Sequence, residues 1–120
     1  MARLLFFVDE GGFDDPSALF IGLGYQLDFE DSKRKAVKLA KQNSYEAVVA
    51  EFSYNPEFRD RVSNIESLLA TLESASPEAK IIVLYDEINQ VQLNQLAQRY
   101  RIDHMLKFPV DEQHLTKILS

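Results

Sequence analysis

The chain has no cysteine in its 120 residues, which excludes disulfide bridges, thiolate metal sites and cysteine nucleophiles. Basic residues are outnumbered, 13 against 19 acids, for a formal net charge of −6. A protein that grips nucleic acid needs a basic stripe to displace counterions from phosphates, so this balance argues against such a partner. Lys33, Arg34, Lys35, Lys38 and Lys41 share one predicted helix and read as its solvated face. No apolar run is long enough to cross a bilayer: Ala18 to Tyr25 falls far short of the ~20 residues a span requires. The leading segment Met1 to Asp9 is too brief an apolar stretch for a signal peptide and lacks a small-residue cleavage site. No membrane partner is expected, and a cytoplasmic location is the default. No G-x-G-x-x-G follows the first predicted strand and no Walker lysine motif occurs, so the usual phosphate cradles are missing. The pair Gly11-Gly12 reads as a turn. His104 and His114 show no triad spacing, which leaves hydrolase chemistry without support.

What is present is an alternation. With 46% hydrophobic and 27% charged residues, the chain can build a core and does not have the composition of a disordered one. Its length suits one domain over residues 1–120. Leu4 to Val8, Tyr45 to Phe52 and Ile81 to Tyr85 are nearly unbroken apolar runs, the pattern of strands buried on both faces of a parallel sheet. Gln26 to Phe29 alternates and suits an edge strand, and His104 to Lys107 is a last short strand. Between them lie helical patterns: one from Asp15-Pro16, expected to cap and open it, to about Gly22 or Gly24; one from Ser32 to Gln42; one carrying Val62, Ile65, Leu68, Leu69 and Leu72 and closed by Ser74 to Pro77; one marked by Ile88, Val91, Leu93, Leu96 and Tyr100; and a last one capped by Asp111 that carries Leu115, Ile118 and Leu119. The order β-α-β-α-β-α-β-α-β-α predicts a parallel sheet with helices on both faces. Five strands in so short a chain fit a flavodoxin-like α/β fold with strand order 2-1-3-4-5.

In such a sheet, chemistry gathers at the carboxyl ends of the strands, where the winding reverses. Those ends carry Asp9 and Glu10 after the first strand, Glu51 after the third, Tyr85 and Asp86 after the fourth, and Lys107 after the fifth. Carboxylates are hard oxygen ligands that suit Mg²⁺, and a lysine is a compact counter-charge for a phosphoryl group.

These residues carry a resemblance to the receiver domain of two-component response regulators. Leu4-Leu5-Phe6-Phe7-Val8-Asp9-Glu10 resembles that family's first strand with its acidic pair. Gly24-Tyr25-Gln26-Leu27 is similar to its Gly-Tyr-x-Val approach to the second strand. Tyr45-Glu46-Ala47-Val48-Val49-Ala50-Glu51 follows the Tyr-Asp-x-x-x-x-Asp pattern that delivers the phosphorylated aspartate. Ile81 to Tyr85 resembles the fourth strand, and Leu106-Lys107-Phe108-Pro109 the Lys-Pro near the end of the fifth. The likeness implies a CheY-like fold, with Asp9, Glu10 and Glu51 as a weak Mg²⁺ site, Glu51 at the phospho-acceptor position, Tyr85 at the Ser/Thr position and Lys107 as the conserved lysine.

The departures point away from a working phospho-switch. Glu51 replaces aspartate and moves the carboxylate about 1.5 Å, a displacement that can cost ~10²-fold in a positioned reaction. Tyr85 is too bulky for the Ser/Thr role. Phe108 separates Lys107 from Pro109, which leaves the lysine's aim and a cis-proline turn open, and Pro56 lies one place later than the family pattern. His104 occupies a position where a switch aromatic is common, and reads as a packing or surface residue. The expectation is an atypical receiver, a pseudo-receiver that binds a protein without a phosphorylation cycle. The resemblance implies that the binding face runs roughly from Ile88 to Leu119, for a histidine kinase, a downstream effector or a second copy in a homodimer. Glu51 is expected to project towards Lys107, either mimicking the phosphorylated state or holding the cleft shut. The alternative is a phospho-accepting receiver with unorthodox residues, using Mg²⁺ and Lys107 for phosphoryl transfer from a histidine kinase. A flavin or nucleotide binder is a third reading, against which the acidic turn Gly11 to Asp15 counts.

Overall fold

A computed structural model describes residues 2–54 and 65–120. Among the described residues, five strands alternate with five α-helices: β1 (Arg3–Phe7), α1 (Ser17–Gly22), β2 (Gln26–Glu30), α2 (Lys33–Gln42), β3 (Ala47–Glu51), α3 (Glu66–Ala75), β4 (Lys80–Tyr85), α4 (Gln90–Ala97), β5 (His104–Lys107) and α5 (Glu112–Leu119). All strand pairs are parallel, in the order β2-β1-β3-β4-β5. This is the flavodoxin-like order expected from the sequence. Among the described residues, no helix is long and apolar enough to cross a membrane.

The strands are apolar on both faces because both are covered. Side chains alternate across a strand, so Leu5, Phe7, Val48, Ala50, Ile81 and Val83 pack with Ala36 and Ala40 of α2, Leu68, Leu69 and Leu72 of α3, and Leu93 and Leu96 of α4. The other row, Leu4, Phe6, Ala47, Val49, Ile82, Leu84 and Leu106, packs with Phe20 of α1 and with Leu115 and Leu119 of α5. The rings of Phe6 and Phe20 meet edge to face at 5.4 Å, a favoured aromatic geometry.

Helix starts follow local capping chemistry. Ser32 Oγ accepts from Lys35 N and Asp111 Oδ1 from Gln113 N. Two expectations are corrected. Pro16 stands just before α1 and not in its first turn, while Asp15 Oδ1 accepts from the Ser17 amide and hydroxyl. The segment from Ile88 to Tyr100 is not one helix. Asp86 Oδ1 accepts from Ile88 N and opens a 3-10 turn, Glu87–Asn89, before α4 ends at Ala97. Val62 and Pro56 lie outside the described residues.

Two polar devices hold the end of the sheet where the strands begin. Asp28 Oδ2 of β2 accepts from Arg3 Nε of β1 at 2.7 Å and from the Tyr45 hydroxyl at 2.8 Å, so one carboxylate ties the middle of β2 to the start of β1 and to the approach to β3. At the last turn of α5, the Tyr25 hydroxyl donates to Leu119 O at 2.9 Å and Lys80 Nζ donates to Ile118 O. A cation and a hydroxyl there satisfy carbonyls that lack helical partners.

Candidate functional site

The opposite end of the sheet carries the predicted site residues. Glu51 closes β3 and is 4% exposed, an unusual setting for a carboxylate without compensation. Its Oε1 accepts three main-chain hydrogen bonds from the loop after β1: Asp9 N at 2.8 Å, Glu10 N at 2.9 Å and Gly11 N at 3.1 Å. Successive amides that converge in this way form a concave anion-binding nest. Gly11 has φ of 71° and Gly12 has φ of 82°, a backbone region that glycine enters without steric cost. The pair reads as a turn in the sequence, and here the turn presents the loop's amides to the end of β3.

The acidic pair is spent differently. Asp9 Oδ2 accepts from Ser53 Oγ at 2.6 Å, which joins the loops after β1 and β3, and the Glu10 side chain is exposed. The three acids expected to share a cation are thus brought together through main-chain atoms. Among the described residues, no group of three His, Asp or Glu side chains is placed to hold a metal ion. A divalent cation needs several oxygen ligands pointing inward, and Glu51 Oε1 is already directed at three N–H groups. In this arrangement one Glu51 oxygen is committed to amides, and the described acidic side chains do not converge three at a time on one point.

Sheet parity explains where the other two residues go. Glu51 is in register with Leu84, and Leu84 with Leu106, all in the row facing α1 and α5. Tyr85 and Lys107 pair with one another in the next row, which faces α4. Tyr85 is accordingly 8% exposed within the core on that side. Lys107 is half-exposed, with Nζ 3.9 Å from Glu87 Oε1. A pair of this kind, at the surface, contributes ~0–1 kcal/mol. Glu51 turns its Oε1 to the β1–α1 loop, where the sequence suggests a reach towards Lys107. Phe108, one residue on, returns to the row of Glu51, and the peptide bond between Phe108 and Pro109 is cis.

A cavity of ≈ 550 Å³ lies above Glu51, with Glu10, Phe13, Asp14, Asp86, Phe108 and Glu112 in its wall. The Phe13 and Phe108 rings lie 4.7 Å apart, tilted by 30°. Tyr85 and Lys107 are not among its lining residues. Sequence reasoning missed Phe13 and Phe108 as site residues. The available signal was Phe108 itself, standing between Lys107 and Pro109, which places phenylalanine and not lysine in the row of Glu51.

The sheet order and helix placement are those of the CheY-like flavodoxin fold shared by response-regulator receiver domains. Searches of solved structures agree. A response regulator protein from Burkholderia pseudomallei aligns with 100% of this chain and 67% of its own at 24% identity and a TM-score of 0.67; that crystal structure contains a phosphorylated aspartic acid and a calcium ion. A response regulator receiver domain protein from Clostridium thermocellum matches with a TM-score of 0.75 at 15% identity, covering 99% of this chain and 91% of its own. A chemotaxis protein from Vibrio cholerae gives 0.72 at 17%, covering 99% and 96%. No protein-family model matches the sequence, and neither does any curated protein. At these identities the likeness defines the fold.

Proposed function

We propose that the chain is a signalling module of the two-component type that binds a protein partner and runs no phosphorylation cycle at the end of β3. The observation that carries this reading is the placement of Lys107 in the row next to Glu51, beside Glu87, while three loop amides hold Glu51 Oε1. A phospho-acceptor must present a free carboxylate oxygen to the donor, with a cation or lysine to offset the developing charge. Here the loop holds Glu51 by one oxygen, Oε1, while Lys107, the cation that would offset the charge, stands in the adjacent row beside Glu87, and Phe108 takes the cavity wall. The module has no reaction of its own in this reading, requires no Mg²⁺, and works in the cytoplasm.

The partner face proposed is the one suggested by the resemblance, from Ile88 to Leu119. Ile88 and Val91 are 83% and 64% exposed, and Met105 on β5 is also exposed. Apolar side chains grouped on a surface mark contact sites more often than scattered ones do. A histidine kinase, an effector or a second copy of the chain are the candidates for that face.

Intact mass after incubation with Mg²⁺ and acetyl phosphate, beside an ordinary receiver as control, tests the reading. The expected result is no adduct while the control is labelled. A phosphoryl adduct that disappears in Glu51→Ala would replace this reading with that of a working phospho-accepting receiver.

A further inference from the structure

We propose that the amides of Asp9, Glu10 and Gly11 constitute a carboxylate-binding site for which Glu51 is the built-in ligand, and which takes up a small external carboxylate when that side chain is cut back. This goes beyond the module's proposed function and rests on the loop geometry alone.

Three N–H groups lie within 2.8 to 3.1 Å of one oxygen, and all three belong to consecutive residues. Hydrogen bonds from N–H to an ionised acceptor are roughly twice as strong as neutral ones. Convergence on a single oxygen is therefore the arrangement expected of an anion site and not of a loop end facing water. The site is shaped before the ligand arrives, because β1 and β3 are paired from Leu4↔Ala47 to Phe7↔Ala50 and the Asp9–Ser53 bond fixes the loop from its other side. A pre-organised site loses less entropy on binding.

The ligand class follows from what a truncation removes. Glu51→Ala keeps Cβ and deletes one methylene and one carboxylate, and acetate supplies the same atoms. Access is open, since Glu51 itself lines the ≈ 550 Å³ cavity. The acids in the cavity wall, Glu10, Asp14, Asp86 and Glu112, oppose entry of any anion. Affinity for so small a ligand is accordingly weak, on the order of 1–10 mM.

The experiment compares wild type and Glu51→Ala in sodium acetate and in sodium chloride at equal ionic strength, by thermal melting and by ¹⁵N–¹H correlation spectra. In the variant, acetate should raise the melting temperature saturably and return the Asp9, Glu10 and Gly11 amide resonances towards their wild-type positions. Wild type, with its site filled, should respond to the two salts alike. Acetate acting no better than chloride on the variant, equally on both proteins, or on amides elsewhere would overturn the proposal. Should Glu51→Ala fail to fold in chloride, folding in sodium acetate at equal ionic strength decides the matter: a dispersed amide spectrum regained in acetate and not in chloride is the expected result, and no difference between the two salts would overturn the proposal. A phosphoryl adduct in the mass experiment would overturn the proposed function yet leave this result standing.

Discussion

Replacing Glu51 by Gln keeps the side chain's shape and removes its charge, so it isolates what the loop amides contribute. A hydrogen bond to a charged acceptor contributes ~1.5–3 kcal/mol and a neutral one ~0.5–1.5 kcal/mol. Three such bonds converge on Oε1, which puts the gross loss at ~3 kcal/mol. Part of this is returned, because a buried carboxylate carries a desolvation cost of several kcal/mol and an amide a smaller one. The net destabilisation should be ~1–2 kcal/mol. In urea, with a slope of ~1–3 kcal/mol per molar, the unfolding midpoint should fall by about 1 M at unchanged slope. Equilibrium denaturation followed by far-UV circular dichroism at pH 7 measures it. The sign decides: an unchanged or higher midpoint would mean that the carboxylate is a buried cost the loop does not offset, and the account of the nest would fail.

Other outcomes follow from the remaining contacts. Burial first, and then its hydrogen bond to Asp28, raise the Tyr45 phenol above its ordinary value. The neutral phenol is thus favoured in the fold, so its contribution is intact below pH ~10 and is lost as pH rises beyond it, by at most ~1.4 kcal/mol per pH unit; Tyr45→Phe should flatten the alkaline limb of a pH–stability curve, and identical limbs would contradict this. Phe20→Ala empties a fully buried site against Phe6 and should cost ~3–5 kcal/mol in urea titrations; a loss under 1 kcal/mol would show that α1 is not held by this contact. Ile88→Lys combined with Val91→Lys should change stability by less than ~0.5 kcal/mol and abolish any concentration-dependent dimer in sedimentation; a large loss of stability would make these two side chains part of the fold and not of a docking face.

The architecture was legible because each strand's composition reports its burial. Ala47 to Ala50 and Ile81 to Leu84 have no polar position, as a strand covered on both sides requires, and their alternation with amphipathic segments pointed to a parallel sheet that five strands fit in the flavodoxin-like order. The site was harder to read. Residue types at strand ends named Asp9, Glu10, Glu51 and Lys107, but which way each side chain turns depends on parity at the strand end. One residue between Lys107 and Pro109 was enough to set Phe108 in the row of Glu51. The nest left no trace in side-chain chemistry, since main-chain amides are common to every sequence; only Gly11-Gly12 marked where the backbone could turn. The Arg3–Asp28–Tyr45 cluster was invisible for a different reason, its members lying far apart in sequence on β1, on β2 and just before β3.

The fastening of α5 at its last turn has a mechanical side. Tyr25 and Lys80 hold the carbonyls of Leu119 and Ile118, at the end of the helix away from the cavity, whereas Glu112 at its first turn lies in the cavity wall. A load on the outer face of α5 would meet two bonded carbonyls at its last turn, Leu115 buried in the core at its middle and the Asp111 cap at its first turn. Eight residues make an arm of about 12 Å, so a tilt of ~10° carries the first turn by about 2 Å and hardly moves the last. A tilt of that size would change the width of the cavity mouth, where Glu112 stands.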